Sequence, residues 1–235
     1  MQYRALRIYD PDKKTHLRFD RNDYLKAVIK GGAVLHVGCS DFPITEERIN
    51  EKNLLHGFLQ ETAREMIGID LSEEGVAIMK RHGYDDVQVM DAEDMKFSRT
   101  FDFIVAGDVL EHISNPGLFL RSVGGLLSRN GELIVGVPSA FTFNNLKPWF
   151  LGREQVHADH VFYFSPKTLA GLCGRFGLLP VKLVFTVQPR RAGQSKAFIL
   201  VRESIIRVLR AAAPSFVMHF KNAEDVDKHT YVDWG

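Results

Sequence analysis

The chain has 235 residues, 45% hydrophobic and 25% charged, which suits one globular domain with a substantial core. Thirty basic residues against twenty-nine acidic ones leave a formal charge of +1. That balance offers no basic field to follow a phosphate backbone, so nucleic acid is not an expected partner.

Two cysteines, Cys39 and Cys173, are too few for a disulfide framework and suit a reduced, cytoplasmic setting. Both read as small buried residues rather than nucleophiles, because neither has a base beside it in sequence. The first residues are polar, with Asp10-Pro11-Asp12-Lys13-Lys14, and lack the apolar stretch of a signal peptide. No run reaches the roughly 18 apolar residues that span a bilayer. The stretch 141–150 is aromatic but interrupted by Asn144, Asn145, Lys147 and Pro148, and reads as a substrate lid before a membrane-contacting surface, its aromatics fitting lid or core equally.

In chain order, apolar runs alternate with amphipathic ones. Ala33–Val37, Met66–Ile69, the weaker Val87–Met90, Phe101–Ala106 and Glu132–Val137 read as strands covered on both faces. Ser72 is an N-cap, followed by a helical stripe of Val76, Met79 and Lys80 that ends near Gly83. Asn115-Pro116 opens another helix, with Leu118, Leu120, Val123, Leu126 and Leu127 as its apolar face and Asn130-Gly131 as its stop. Ser165-Pro166 begins a helix through about Phe176, closed by Gly177. Pro180–Val187 and Ser195–Val201 read as strands of an antiparallel hairpin through Gln188–Gly193. An amphipathic helix from about Glu203 to Ala212 and a polar tail follow.

The rhythm predicts an α/β, Rossmann-like doubly wound sheet, mostly parallel with a C-terminal antiparallel hairpin. It predicts a single domain over 1–235. The core sheet spans about 30–202, a lid or substrate loop 141–165, and a C-terminal helix and tail 203–235.

Ligands of open α/β sheets bind beyond the carboxyl ends of the strands. There the sequence places Gly38-Cys39-Ser40-Asp41, then Asp70-Leu71, then Asp91-Ala92-Glu93, then Asp108-Val109-Leu110-Glu111-His112. Gly38 allows a sharp turn and close backbone approach. A carboxylate at 70 can accept two hydrogen bonds from ribose hydroxyls, or can simply favour a helix N-terminus. Asp91 and Glu93 suit the flank of an adenine ring or an ordinary acidic turn.

Val34–Asp41, Gly68-Ile69-Asp70-Leu71, Asp91-Ala92-Glu93 and 101–138 with Leu110-Glu111-His112 resemble class I S-adenosylmethionine-dependent methyltransferases. The similarity is to the small-molecule branch that includes ubiquinone-type and sugar methyltransferases, over about residues 30–187. The resemblance implies S-adenosylmethionine as cofactor. Gly38, Cys39 and Ser40 would line its methionine end, Asp70 and Leu71 its ribose, and Asp91, Ala92 and Glu93 its adenine. Asp108 and Val109 would face the reacting centre. The first loop departs from the family: His36 stands where an acid is usual, and Ser40 and Phe42 where glycines are. The gap from Gly38 to Asp70, 70 − 38 = 32 residues, exceeds the roughly 20 of dinucleotide folds. The segment 43–61 therefore contains extra structure over the cofactor mouth.

His112 and His160 are the candidate catalytic residues, each also readable as structural. Methyl transfer is an in-line displacement in which alignment supplies much of the rate. A base matters only for a poorly ionised hydroxyl or a protonated amine. His157 and His160 lack a clear third ligand, so no metal is expected. Arg190-Arg191 reads as a solvated turn or as a contact for an acidic group.

The function expected is S-adenosylmethionine-dependent methyl transfer to a small-molecule or glycan-type acceptor. A methyltransferase-like binding or scaffold module without catalysis is the alternative. Gly38–Pro43 lacks the Gly-x-Gly-x-x-Gly turn of a nicotinamide dehydrogenase. Asp108-Val109-Leu110-Glu111 also differs from the Asn/Asp-Pro-Pro-aromatic run of base-modifying amino-methyltransferases.

Overall fold

Aliphatic runs buried on both faces make the strands of this protein, and capping side chains start most of its helices. The structure, a computed structural model, describes residues 15–18, 20–154, 157–186 and 213–226. Its eight strands are β1 (Thr15–Arg18), β2 (Ala33–Val37), β3 (Glu65–Asp70), β4 (Val87–Val89), β5 (Phe101–Gly107), β6 (Leu127–Pro138), β7 (Leu178–Thr186) and β8 (Ser215–Asn222). They form one sheet in the order β1-β7-β8-β6-β5-β2-β3-β4. β8 runs antiparallel to β6 and β7, and the other pairs are parallel. This is the expected Rossmann-like class.

The helices are α1 (Arg21–Val28), α2 (Thr45–Asn50), α3 (Leu55–Gln60), α4 (Glu73–Arg81), α5 (Pro116–Leu126), α6 (Phe143–Phe150) and α7 (Pro166–Gly174). Ser72 caps α4 by accepting from the Gly75 amide, and Asn115 caps α5 with Pro116 in its first turn. Ser165 and Thr168 form a reciprocal capping box at α7. Such caps each contribute about 1 kcal/mol.

Alternation along the strands divides the core. Val34, Val105, Ile134, Val184 and Val217 pack with Leu25 and Ile29 on the α1 side and Leu55 and Leu59 of α3. Their neighbours Leu35, Ile104, Leu133, Val135 and Met218 pack instead with Phe119, Leu120 and Val123 of α5 and Leu169 and Cys173 of α7. Burial on both faces explains why the runs read as continuous apolar stretches.

Three expectations are corrected. Among the described residues the antiparallel partner of β7 is β8; the strand expected at Ser195–Val201 lies outside the described residues, as do Arg190-Arg191 and the helix expected from Glu203. The segment 203–235, expected as a helix and tail, carries a strand between β6 and β7. With β1 pairing to β7, the sheet extends past both of the expected limits of 30 and 202. The reading failed because His219 and Lys221 interrupt the apolar run, although His219 is buried in paired contacts (below). Finally, α5 stops at Leu126, after the weak helix formers Gly124 and Gly125, and Asn130 (φ 62°) turns inside β6. Leu118 is exposed, and Phe119 takes the buried place.

Candidate active site

The chain leaves β2 toward β3 on one side, while β5 lies on the other, so strand order reverses between β2 and β5. A crevice opens at such a switch point. The loops after β2, β3, β4 and β5 all leave the same end of parallel strands. All four residue clusters expected to form the site therefore lie at that end of the sheet.

Gly38 has φ 70°, a conformation open to glycine. A Cβ there would sit 2.5 Å from a Val109 methyl carbon. The loop is held from below, since the Gly38 and Cys39 amides donate to the Ile69 carbonyl at 2.9 and 3.1 Å. Cys39 is buried, its side chain packed with Val76 and Met79, and burial pushes its thiol well up. It therefore offers a ligand its backbone rather than its sulfur.

Ser40 donates its amide and hydroxyl to one oxygen of Asp70, at 2.9 and 2.7 Å, and the Ser72 amide donates to the other oxygen at 2.9 Å. Asp70 thus clamps the first loop to the start of α4. Three donors still leave lone-pair capacity on a carboxylate. Leu71 beside it is largely exposed. Asp91 accepts from the Glu93 amide at 2.8 Å, and Glu93 accepts from the Asn115 amide at 2.8 Å. The Asp91-Ala92-Glu93 step is consequently a braced turn anchored to α5, with Ala92 half-buried.

Asp108 (φ 55°) ends β5 and pairs with Arg21 of α1. Burial works against the Arg21 charge, but the Asp108 carboxylate outweighs it and raises the guanidinium pKa. Arg21 was missed by sequence reading, because nothing local marks one arginine at a helix start 87 residues from its partner.

Glu111 is buried, and both carboxylate oxygens lack a hydrogen-bond partner among the described residues. Burial first, and the Asp108 charge second, push its carboxyl up to about 8. Its carbonyl accepts from the Val161 and Phe162 amides at 2.8 and 3.3 Å, fastening the segment after His157 to the β5 exit. His112 and His160 stand edge to face with centroids 4.6 Å apart, and His157 lies 5.1 Å from His160. His112 Nδ1 lies 3.1 Å from the Asp159 carbonyl, which makes it the protonated nitrogen and leaves Nε2 with its lone pair. Burial, with His112 and His157 close by, lowers the His160 pKa. Donor atoms of Glu111, His112 and His160 all lie within 4.8 Å of one another. Of the two histidines weighed as ligands in the sequence, only His160 belongs to this group, and its companions Glu111 and His112 come from the distant β5 exit.

A glycine cradle after β2, a serine-clamped acid after β3 and a polar cluster after β5 define a class I S-adenosylmethionine-dependent methyltransferase. Residues 11–183 match the family described as "Methyltransferase domain", and the chain belongs to it. A ubiquinone biosynthesis O-methyltransferase of Xanthomonas oryzae pv. oryzae is 27% identical over 176 residues, which cover 68% of this chain and 69% of that one. Among solved structures, a TehB-like S-adenosylmethionine-dependent methyltransferase of Corynebacterium glutamicum has a TM-score of 0.54 at 16% identity, covering 87% of this chain and 89% of its own. The Burkholderia thailandensis 1,6-didemethyltoxoflavin-N1-methyltransferase, solved with bound 1,6-didemethyltoxoflavin and S-adenosylhomocysteine, has a TM-score of 0.52 at 18% identity, covering 86% of this chain and 77% of its own. These two likenesses are of fold. The chain is an enzyme of the methyltransferase type, and its cofactor is S-adenosylmethionine. No helix among the described residues is long and apolar enough to cross a membrane.

Proposed function

We propose that the enzyme methylates a hydroxyl oxygen of a small-molecule acceptor, and that Glu111, His112 and His160 manage the acceptor's proton. The observation that carries this is the convergence of those three side chains at the exit of β5, the strand paired to β2. The O-methyltransferase name of the relatives supports an oxygen acceptor. A glycan-type acceptor is compatible with the same chemistry.

In this reading Gly38, Cys39 and Ser40 bind the methionine end of the cofactor through their backbone, with Asp108 and Val109 beside them. Asp70 and Leu71 take the ribose, and Asp91, Ala92 and Glu93 the adenine. The glycine cradle and the unpartnered Glu111 carboxyl fit a polar ligand in the crevice. Bound S-adenosylmethionine supplies an electrophilic methyl carbon on a sulfonium. His112 Nε2 takes the hydroxyl proton as the acceptor oxygen becomes nucleophilic, and the Asp159 carbonyl holds the ring in the tautomer this needs. His160, kept neutral near pH 7, is the second acceptor for that proton. The segment 141–165 covers the acceptor, with Phe141, Trp149, Phe162 and Tyr163 exposed for that contact.

The test is S-adenosylhomocysteine release with a panel of hydroxyl-bearing small molecules, comparing the wild type with His112→Asn. Turnover of a hydroxyl acceptor that falls about 100-fold in the variant supports the assignment. Undiminished turnover in the variant removes His112 from it.

A second reading of the same cluster is a divalent-cation site, favoured by the 4.8 Å donor set and the unpaired Glu111. Turnover lost to a chelator and restored by a divalent cation would favour it over unaided proton transfer.

A further inference from the structure

Position 36 holds a histidine where the resemblance leads one to expect an acid, and the structure shows what surrounds it. His36 is buried in β2, two residues before Gly38. Its Nδ1 lies 3.1 Å from Nδ1 of His56, a buried residue of α3, and the rings stack with centroids 5.4 Å apart. His56 Nε2 lies 3.2 Å from an Asp86 oxygen, just before β4. Tyr84 packs edge-on against the His56 ring.

Space for this chain of groups is built into the sheet. The strand partner of His36 on β3 is Gly68, where a Cβ would lie 2.6 Å from His56 Cε1 and 3.0 Å from both Cβ and Sγ of Cys39. His56 and Cys39 thus occupy the volume that Gly68 leaves free. The same Cys39 belongs to the loop whose amides rest on Ile69.

Proton placement follows from the acid end. Asp86 accepts, so His56 Nε2 carries hydrogen, and a neutral His56 then offers the Nδ1 lone pair. His36 must donate from its own Nδ1. Its Nε2 is left as a bare acceptor, buried and without a partner among the described residues. Burial first, then the neighbouring His56 and Arg21, holds the His36 pKa well below its ordinary value, so the ring stays neutral at neutral pH.

We propose that the buried His36 and His56 and the half-buried Asp86 form a relay that positions the Gly38–Ser40 loop for cofactor binding, taking over the bracing expected of an acid at position 36. His36 and His56 are positioning residues, since they act on the loop rather than on the reacting atoms. Removing the His36–His56 bond leaves the fold standing but lets the loop drift. The cost therefore falls on cofactor affinity. The inference rests on the assignment of Gly38–Ser40 as the cofactor loop.

The test is calorimetric binding of S-adenosylhomocysteine, supported by histidine-selective nitrogen NMR on the intact chain. His36→Leu, which keeps bulk but removes both ring nitrogens, should weaken binding about 10-fold or more, with kcat at saturating cofactor changed less than about 3-fold. His36→Asn, whose amide nitrogen can replace Nδ1 as donor to His56, should recover most of the loss. If His36→Leu does not fold, Asp86→Asn is the second variant, with about 3- to 10-fold weaker binding expected. The NMR spectrum of the wild type should show a neutral His36 protonated on Nδ1. Binding by His36→Leu or Asp86→Asn within experimental error of the wild type would overturn the relay, as would an Asn variant no better than Leu, or a His36 protonated on Nε2. A wild type that binds no S-adenosylhomocysteine would instead refute the cofactor-loop assignment, and the relay with it.

Discussion

Glu111 is a buried carboxyl with no hydrogen-bond partner among the described residues, and a structure keeps such a group at a cost. With its folded pKa near 8 and an ordinary unfolded value of 4.5, the unfolded state loses its proton first as pH rises. The penalty on folding therefore grows from about pH 4.5 to about pH 8 and is constant above. Glu111→Gln should raise stability at pH 8 by roughly 1–3 kcal/mol while lowering turnover. Urea denaturation at pH 5 and pH 8 checks the sign: a gain that does not grow with pH contradicts the burial argument. Asp70 makes the opposite case. Its carboxylate holds Ser40 and Ser72 together. Asp70→Ala should therefore loosen the first loop and weaken S-adenosylhomocysteine binding at least about 10-fold by calorimetry. Gly38→Ala should also lose affinity, since its φ of 70° and the nearby Val109 methyl leave no room for the added carbon.

Among the elements, β8 changes the account most. Phe216, Val217, Met218 and Phe220 are fully buried, and the strand bonds to neighbours on both sides. Phe216→Ala should cost about 3–5 kcal/mol, read as a lowered urea midpoint. A surface tail would show almost no change. His219, in the middle of β8, donates to Glu132 from Nδ1 at 2.8 Å and accepts from the Tyr24 hydroxyl at Nε2 at 2.7 Å. Burial holds the His219 pKa down. Glu132 is also lowered: burial raises it, but His219 and Lys221 together outweigh that. Both groups then disfavour acid in the folded state. Stability from the pair is present above about pH 6.5, is lost as pH falls through the ordinary histidine range and falls further below the ordinary carboxylate range. Glu132→Gln should flatten the limb below the ordinary carboxylate range and deepen the loss through the histidine range, because Glu132 holds the His219 pKa up.

These elements show what the sequence makes legible. The strands β2, β3, β5 and β6 are apolar runs bounded by turns, and Ser72, Asn115-Pro116 and Ser165-Pro166 mark helix starts through local hydrogen bonds. Such signals act over a few residues. β8 was hidden because a buried histidine reads as polar until Glu132 and Tyr24, 87 and 195 residues away, are seen to satisfy it. Arg21 was hidden for the same reason. The helices α2 and α3 were expected only as extra structure in 43–61, and the pairing of His56 with His36 is a product of the fold.

For the whole molecule, the order reversal between β2 and β5 brings two kinds of residue to one crevice. One side has a braced first loop and an acid clamp suited to holding a cofactor. The other has a carboxyl and imidazoles suited to handling a proton. The family match and the sheet order account for the first, and the contacts of Glu111, His112 and His160 account for the second. The most direct measurement incubates the purified protein with methyl-labelled S-adenosylmethionine and extracted small molecules, and then follows the label by mass. The account predicts label on the oxygen of a hydroxyl-bearing small molecule, with one S-adenosylhomocysteine formed per label and both lost in Asp70→Ala. Label found only in protein or nucleic acid, or no S-adenosylhomocysteine formed at all, would contradict it.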